Sequence, residues 1–204
     1  MVNVRMTTWL MVMVSVVFGF GLPEAQATVV FNDGGTHTVD WAIYDYVWVR
    51  NSTLSQPTTL NLVTGGFISQ CLDIYDSSRA NVSGGSIHHS LDAYDSSQVN
   101  ISGGSFGGSL IADFSSQVRI SGVSIGGGLY ALNSSQITIY GSGFNYPYGT
   151  LTGRGLLTGT SASGEIINNA FYVYGNARIV LVPEPATLSL FALASLAILR
   201  KHRK

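Results

Sequence analysis

Residues 76–87, Asp76-Ser77-Ser78-Arg79-Ala80-Asn81-Val82-Ser83-Gly84-Gly85-Ser86-Ile87, return 19 positions later as Asp95-Ser96-Ser97-Gln98-Val99-Asn100-Ile101-Ser102-Gly103-Gly104-Ser105-Phe106. The frame continues in Ser115-Ser116-Gln117-Val118-Arg119-Ile120-Ser121-Gly122 and in Ser134-Ser135-Gln136-Ile137-Thr138-Ile139. Backwards, it takes in Pro57-Thr58-Thr59-Leu60-Asn61-Leu62-Val63-Thr64-Gly65-Gly66-Phe67-Ile68. Five copies thus cover residues 57–147 with no insertion. A short fixed period marks a repeat architecture, in which each unit completes its core only against its neighbours.

The columns of the repeat assign the inward positions. Leu72, Leu91, Leu110 and Leu129 form one column, with Ile74, Ala93, Ala112 and Ala131 two places on. Ala80, Val99, Val118 and Ile137 form a third, and Val82, Ile101, Ile120 and Ile139 a fourth. Ile87, Phe106, Ile125 and Phe144 make a fifth. Apolar residues two apart share one face of a strand, and Asn81, Asn100, Arg119 and Thr138 between them take the other. The period is that of strands, and the Ser-Ser and Gly-Gly clusters supply the turns between three short strands per repeat.

A 19-residue unit of three short strands has no core of its own. Stacking one turn on the next at about 4.8 Å closes a continuous core and satisfies the backbone ladder. The expected fold is therefore all-β, a parallel β-helix or solenoid of 19-residue coils. Residues 28–56 read as an N-terminal cap or irregular coils, residues 57–147 as the repeats, and residues 148–182 as distorted coils and a C-terminal cap. In that last segment, 146–163 reads as loop or distorted coil, and 170–174 and 177–181 as strands. An antiparallel sandwich is the alternative, but sandwiches have no need of equal strand spacing.

Composition narrows the function. The chain has 204 residues, 10% charged, with 10 basic and 11 acidic side chains and a formal net charge of -1, which argues against a nucleic-acid binder. Residues 28–182 hold five arginines, no lysine, eight aspartates and one glutamate, so the body is mildly acidic. Cys71 is the single cysteine and has no internal disulfide partner.

The ends read as addresses. Residues 1–27 carry Arg5, an apolar run, Pro23, and then Ala25-Gln26-Ala27, the small-residue spacing that a signal peptidase accepts, with cleavage expected before Thr28. At the other end Pro183-Glu184-Pro185 precedes an apolar stretch over 186–199 and the basic cluster Arg200-Lys201-His202-Arg203-Lys204. As a helix the apolar stretch is about 21 Å long. That is short of the hydrocarbon layer of about 30 Å, and the basic cluster would stay cytoplasmic. This ending, residues 183–204, resembles the PEP-CTERM sorting signal. The resemblance implies transient inner-membrane insertion, with Pro183, Glu184 and Pro185 as the recognition element for an exosortase. Arg200, Lys201, Arg203 and Lys204 would be the cytoplasmic anchor, and the signal helix and the transmembrane helix would flank the solenoid. Signal peptidase and exosortase are the processing partners it implies, and exopolysaccharide the environment.

Solenoids of this kind include polysaccharide lyases and glycosidases, which need convergent carboxylates and, in lyases, a basic residue. Asp73 and Asp92 share a column, but Asp113 falls two places later, under Tyr94, and Arg79 and Arg119 occupy different columns. No convergence follows, and the expectation is a non-enzyme with no cofactor. Asp73 and Asp92 with Asp76 and Asp95 would form two carboxylate ladders of the oxygen-rich kind that suits calcium, the alternative to no metal. His88 and His89 occur in one coil only and read as a surface turn. Tyr75 and Tyr94 share an outward column and read either as a platform for a sugar ring or as a cross-coil packing pair. The function expected is an exported structural or adhesive protein of the cell surface or extracellular matrix, associated with exopolysaccharide or biofilm. A carbohydrate-binding module is the alternative, and a lyase or glycosidase the more distant one.

Overall fold

The computed structural model of the chain describes residues 28–51 and 56–184. They form a β-solenoid of about six turns. The first face stacks Thr28–Phe31, Tyr46–Val49, Leu72–Ile74, Leu91–Ala93, Leu110–Ala112, Leu129–Ala131 and part of Ile166–Val173, all parallel. The second stacks Thr36–Val39, Thr59–Leu62, Arg79–Ile87, Gln98–Phe106, Gln117–Ile120, Gln136–Ser142 and Arg178–Pro183. The third is shorter: Ala42–Ile43, Phe67–Ile68, the ends of the two long strands and Ser124–Ile125. Residues 28–51 are thus turns of the solenoid in their own right.

The 19-residue columns are physical columns. Leu72 pairs with Leu91, Leu91 with Leu110 and Leu110 with Leu129, and all four are buried. The columns headed by Ala80 and Val82 are buried as well. Each such leucine or isoleucine contributes about 2 kcal/mol through the apolar area it withdraws from water. On the outside, Asn100 donates its side-chain amide to Asn81 (3.1 Å) and Asn81 to Asn61 (3.0 Å), a ladder of amides along the second face.

Two details depart from the uniform frame. The copy beginning at Pro57 is offset by 20 on the second face, where Leu60 pairs with Ala80, and by 19 on the third, where Ile68 pairs with Ile87. An offset of 19 throughout would turn Leu60 and Leu62 outward, since a one-residue slip moves every side chain to the opposite face. The spare residue is absorbed at the corner holding Gly65, whose φ of 95° suits glycine. The fifth column also ends early. Phe144 lies outside any strand and packs half-buried against the core instead of stacking on Ile125.

The corners explain the Asp-Ser-Ser and Gly-Gly clusters. Asp76, Asp95, Phe114 and Asn133 occupy one corner column with φ between 54° and 59°, and Gly175 continues it at 74°. Aspartate, asparagine and glycine tolerate this left-handed conformation and phenylalanine does so only at a cost, so Phe114 is the strained member. The Asp95 carboxylate accepts the Asp76 N–H (3.0 Å), and that of Asp76 accepts the Asn51 N–H (3.1 Å), tying each turn to the one before it. One place on, Thr58 and Ser78, then Ser97, Ser116 and Ser135, are buried small residues. At the opposite corner a Cβ on Gly107 would lie 2.2 Å from the His88 carbonyl oxygen, so the approach of successive backbones excludes any side chain there.

The C-terminal end is closed by antiparallel strands. Residues 146–163, expected as loop or distorted coil, contain Gly149–Leu151, which pairs with Arg178–Pro183, and Arg154–Ser161, which pairs with Ile166–Val173. Reversing the direction terminates the parallel stack and removes a template for further pairing. Buried Asn169 completes the closure by donating to the carbonyls of Ile125 and Gly127, both at 2.8 Å, where the next turn of the third face would otherwise have supplied N–H groups. Asn169→Ala orphans both acceptors. It is expected to lower unfolding free energy by about 1–2 kcal/mol, measured by urea denaturation, with an unchanged far-ultraviolet circular dichroism spectrum.

Candidate functional site

The outward side of the first face carries the chemistry. Two outward columns run along it: Trp48, Asp73, Asp92, Ile111, Tyr130 and Tyr172, and two places on Tyr75, Tyr94 and Asp113. Strand alternation puts both outside while Leu72, Ile74 and their equivalents fill the interior.

At the N-terminal half of this face the groups are packed against one another. Tyr75 and Tyr94 are stacked, with centroids 5.0 Å apart and planes at 11°. That separation matches the spacing between adjacent turns, so the rings stack along the solenoid axis. The Arg50 guanidinium lies 4.7 Å over Tyr75 and 4.5 Å over Trp48. Tyr75 is therefore sandwiched between a guanidinium and a second ring, and both its faces are occupied. The geometry is that of a cross-coil packing pair, and a sugar stacking on Tyr75 would first have to displace Arg50.

Beneath the tyrosines, one oxygen each of Asp73 and Asp92 and the Cys71 sulfur lie within 4.8 Å of one another. Tyr75 Oη donates to Asp73 (3.3 Å), and Tyr94 Oη approaches Asp92 at 3.5 Å. The second oxygen of each carboxylate, Oδ1, is buried without a partner. Burial pushes the Asp92 carboxyl up to about 7, with the Asp73 charge adding to it. Burial raises Asp73 as well, while Tyr75, Trp48 and Arg50 pull it back. Both tyrosine hydroxyls are raised, first by burial and then by the carboxylates below them. The Cys71 thiol is raised by burial, and the two aspartates push the same way, so it is poor in thiolate and weak as a nucleophile.

The four aspartates weighed for calcium do not act together. Asp76 and Asp95 stand at the corner, where their carboxylates take backbone N–H groups. Asp73 and Asp92 are instead grouped with a thiol, a softer set than the six to eight oxygens calcium takes. Asp113 bonds the Phe114 N–H (2.6 Å) and the Asn133 amide. Arg79 and Arg119 are exposed on the second face, away from these carboxylates. His88 and His89 form an edge-to-face pair, centroids 4.9 Å apart, at the corner between the third and first faces.

The C-terminal half of the first face holds a groove that repeat columns alone do not reveal. It encloses about 360 Å³ and is lined by Tyr130, Arg154, Gly155, Ala170, Phe171 and Tyr172. The signal in the sequence was the density of tyrosines after residue 129, but their assembly depends on the non-repeating closure.

The sorting signal starts on the body itself. Thr28 is the first residue of the first strand, while Ala25, Ala27, Pro185, Arg200, Lys201, Arg203 and Lys204 lie outside the described residues. So do the signal helix expected over 1–27 and the membrane helix expected over 186–199. No helix among the described residues is long and apolar enough to cross a membrane. Pro183 closes the strand Arg178–Pro183 opposite Gly141, and Ser142 Oγ donates to the Glu184 carboxylate at 3.2 Å. Comparison with protein families gives one match, to the PEP-CTERM protein-sorting motif, over residues 181–204. The chain carries a PEP-CTERM sorting signal. Such a signal marks an exported protein, held in the membrane until an exosortase processes it. No curated protein and no solved structure gives a significant match. The PEP-CTERM signal leaves no linker: its first residues belong to the last strand of the solenoid.

Proposed function

We propose that the protein is a non-catalytic structural or adhesive component of the cell surface or extracellular matrix, associated with exopolysaccharide. The observation that carries this reading is the direct fusion of the sorting signal to the last rung, which makes the solenoid itself the exported cargo. Its exterior supports a role in hydrated polymer: an amide ladder on the second face and serine-rich corners offer hydrogen bonds at regular spacing. Acid–base catalysis finds little support. Asp92 and Asp113 stand on either side of Tyr94, and the groove over the last turns has no carboxylate in its lining. The polar side chains of the site are spent on one another and on neighbouring turns.

The test is fractionation of the native host. The protein is expected in the matrix fraction with its N-terminus at Thr28 and its C-terminus near Pro183, read by mass spectrometry. Loss of Pro183 and Pro185 to alanine is expected to leave it in the inner membrane. Recovery of the intact chain in the cytoplasm, or of processed protein free in the medium and never with polysaccharide, would overturn the proposal.

A further inference from the structure

We infer that the groove formed by Tyr130, Tyr172 and Arg154 is a binding site for an anionic sugar unit, one bearing a carboxylate, within a polysaccharide. This rests on the matrix reading above and gives it a site. The three residues come from three neighbouring strands: Tyr130 pairs with Tyr172 in parallel, and Tyr172 with Arg154 in antiparallel register. They therefore stand in one row across the sheet, and the row exists only because the closing strand runs backwards along the last turn.

The chemistry of the row is specific. Tyr130 and Tyr172 are 38% and 39% exposed, and neither ring is in contact with another turn's aromatic as Tyr75 is. Tyr174 lies beside Tyr172 with its plane at 7° and its centroid 6.3 Å away, which extends the aromatic surface along the strand. A Cβ on Gly128 would lie 3.0 Å from the Tyr130 ring, so glycine leaves the space in which that ring lies back along its strand. Gly155 does the same on the other wall, where a Cβ would meet the Tyr146 hydroxyl and the Phe171 ring. The groove is thus kept open by two glycines and floored by aromatic carbon, and about 360 Å³ is at the small end of ligand sites. Aromatic rings with polar tips suit a pyranose, which has an apolar C–H face and a hydroxylated rim.

Arg154 supplies the sign of the ligand. It is exposed and makes no hydrogen bond or ion pair with the other described residues, in which His37 and Asp33 form the one ion pair. No acidic residue lines the groove. A guanidinium fork free at the rim of an aromatic groove matches a carboxylate in two parallel hydrogen bonds. The body as a whole is acidic, so attraction to a polyanion must come from this spot and not from a general field.

Binding is measured on the full-length chain in neutral detergent micelles by titration calorimetry, with oligogalacturonate as the anionic probe and dextran oligosaccharide as the neutral one. Saturable binding of oligogalacturonate is expected, at least tenfold tighter than dextran and weakened by salt. Arg154→Gln should weaken it about tenfold and remove most of the salt dependence, and Tyr172→Ala should abolish it, while Tyr94→Ala leaves it intact. Arg154 is exposed, so its variant tests the proposal even where Tyr172→Ala disturbs the strand. Unchanged affinity in Arg154→Gln, equal binding of dextran, or self-association of the chain that Tyr172→Ala removes would each overturn it. Matrix fractionation separates the two readings. Variants that lose oligogalacturonate but stay in the matrix sink the groove's role alone, whereas wild-type protein absent from the matrix sinks the matrix proposal whatever the groove binds.

Discussion

Deletion of residues 91–109 is expected to leave a folded, shorter solenoid, whereas deletion of Asn100 alone is expected to disrupt it. In the native stack Leu72 pairs with Leu91 and Leu91 with Leu110, so removing one whole turn lets Leu110 take the place of Leu91. The splice joins Ser90 to Leu110 at a corner where Ser90 and Ser109 already play equivalent parts: Leu72 N–H donates to the Ser90 carbonyl, Leu91 N–H to that of Ser109. Stability in such a stack is close to a sum over turns and their interfaces. The shortened chain loses one interface and keeps the rest, so a fall of several degrees in Tm is expected. Removing Asn100 makes Val99 and Ile101 neighbours, and since successive side chains point to opposite faces, one of them must leave the core. The cost is about 3–5 kcal/mol for the displaced side chain and the void behind it. No glycine corner lies inside that strand segment to absorb the slip, as the corner at Gly65 does two turns earlier. Circular dichroism and thermal melts of both variants, in the same detergent as the wild-type chain, decide the matter. If the short deletion melts like wild type or the long one is unfolded, the turns are not interchangeable units.

The same repeat explains how much of the protein was legible without coordinates. Leu72, Leu91, Leu110 and Leu129 announced the rungs because a buried position in a stack has to be filled again at every turn. The corner sequence Asp-Ser-Ser was equally readable once its left-handed backbone is recognised, and Phe114 shows that the rule bends. What the repeat could not convey is whatever departs from it. The extra residue before Gly65 is invisible to an alignment that matches Pro57 with Asp76 and Ile68 with Ile87, because both ends agree and only the inward direction of Leu60 and Leu62 reveals the slip. The antiparallel closure was out of reach for a different reason: Arg154–Ser161 has partners in one place only, so no column exists to betray it. Asn169 likewise looks like an ordinary polar strand residue until the two carbonyls it satisfies are seen. For the site, Tyr75 and Tyr94 were the visible pair because they repeat, yet repetition is what lets them stack on each other and withdraw their faces. The tyrosines with accessible rings lie where the repeat stops.

Asp92→Asn is expected to stabilise the protein by about 2 kcal/mol at pH 8 and to flatten its pH profile. The Asp92 carboxyl rises from the ordinary value of 3.8 to about 7 in the folded state, through burial first and the Asp73 charge second. The folded chain therefore holds more protons than the unfolded one between about pH 4 and pH 7. By linkage, stability falls as pH rises through that window and is level above it. Full conversion of the shift would give about 4 kcal/mol, and solvent screening at this half-buried position halves that figure. Asparagine removes the charge at constant shape and brings an amide donor for the unpartnered Asp73 oxygen, so the variant should lose the slope without losing the rung. Asp73→Asn should lower the Asp92 carboxyl part of the way, leaving a shallower slope. The penalty from burial persists in that variant. Urea midpoints at pH 5, 6, 7 and 8 measure all three proteins. A wild-type midpoint that climbs across this range, or an Asp92→Asn profile parallel to it, would mean that the two stacked carboxylates are ionised in the folded chain at neutral pH and that the charge between them is compensated by something other than a proton.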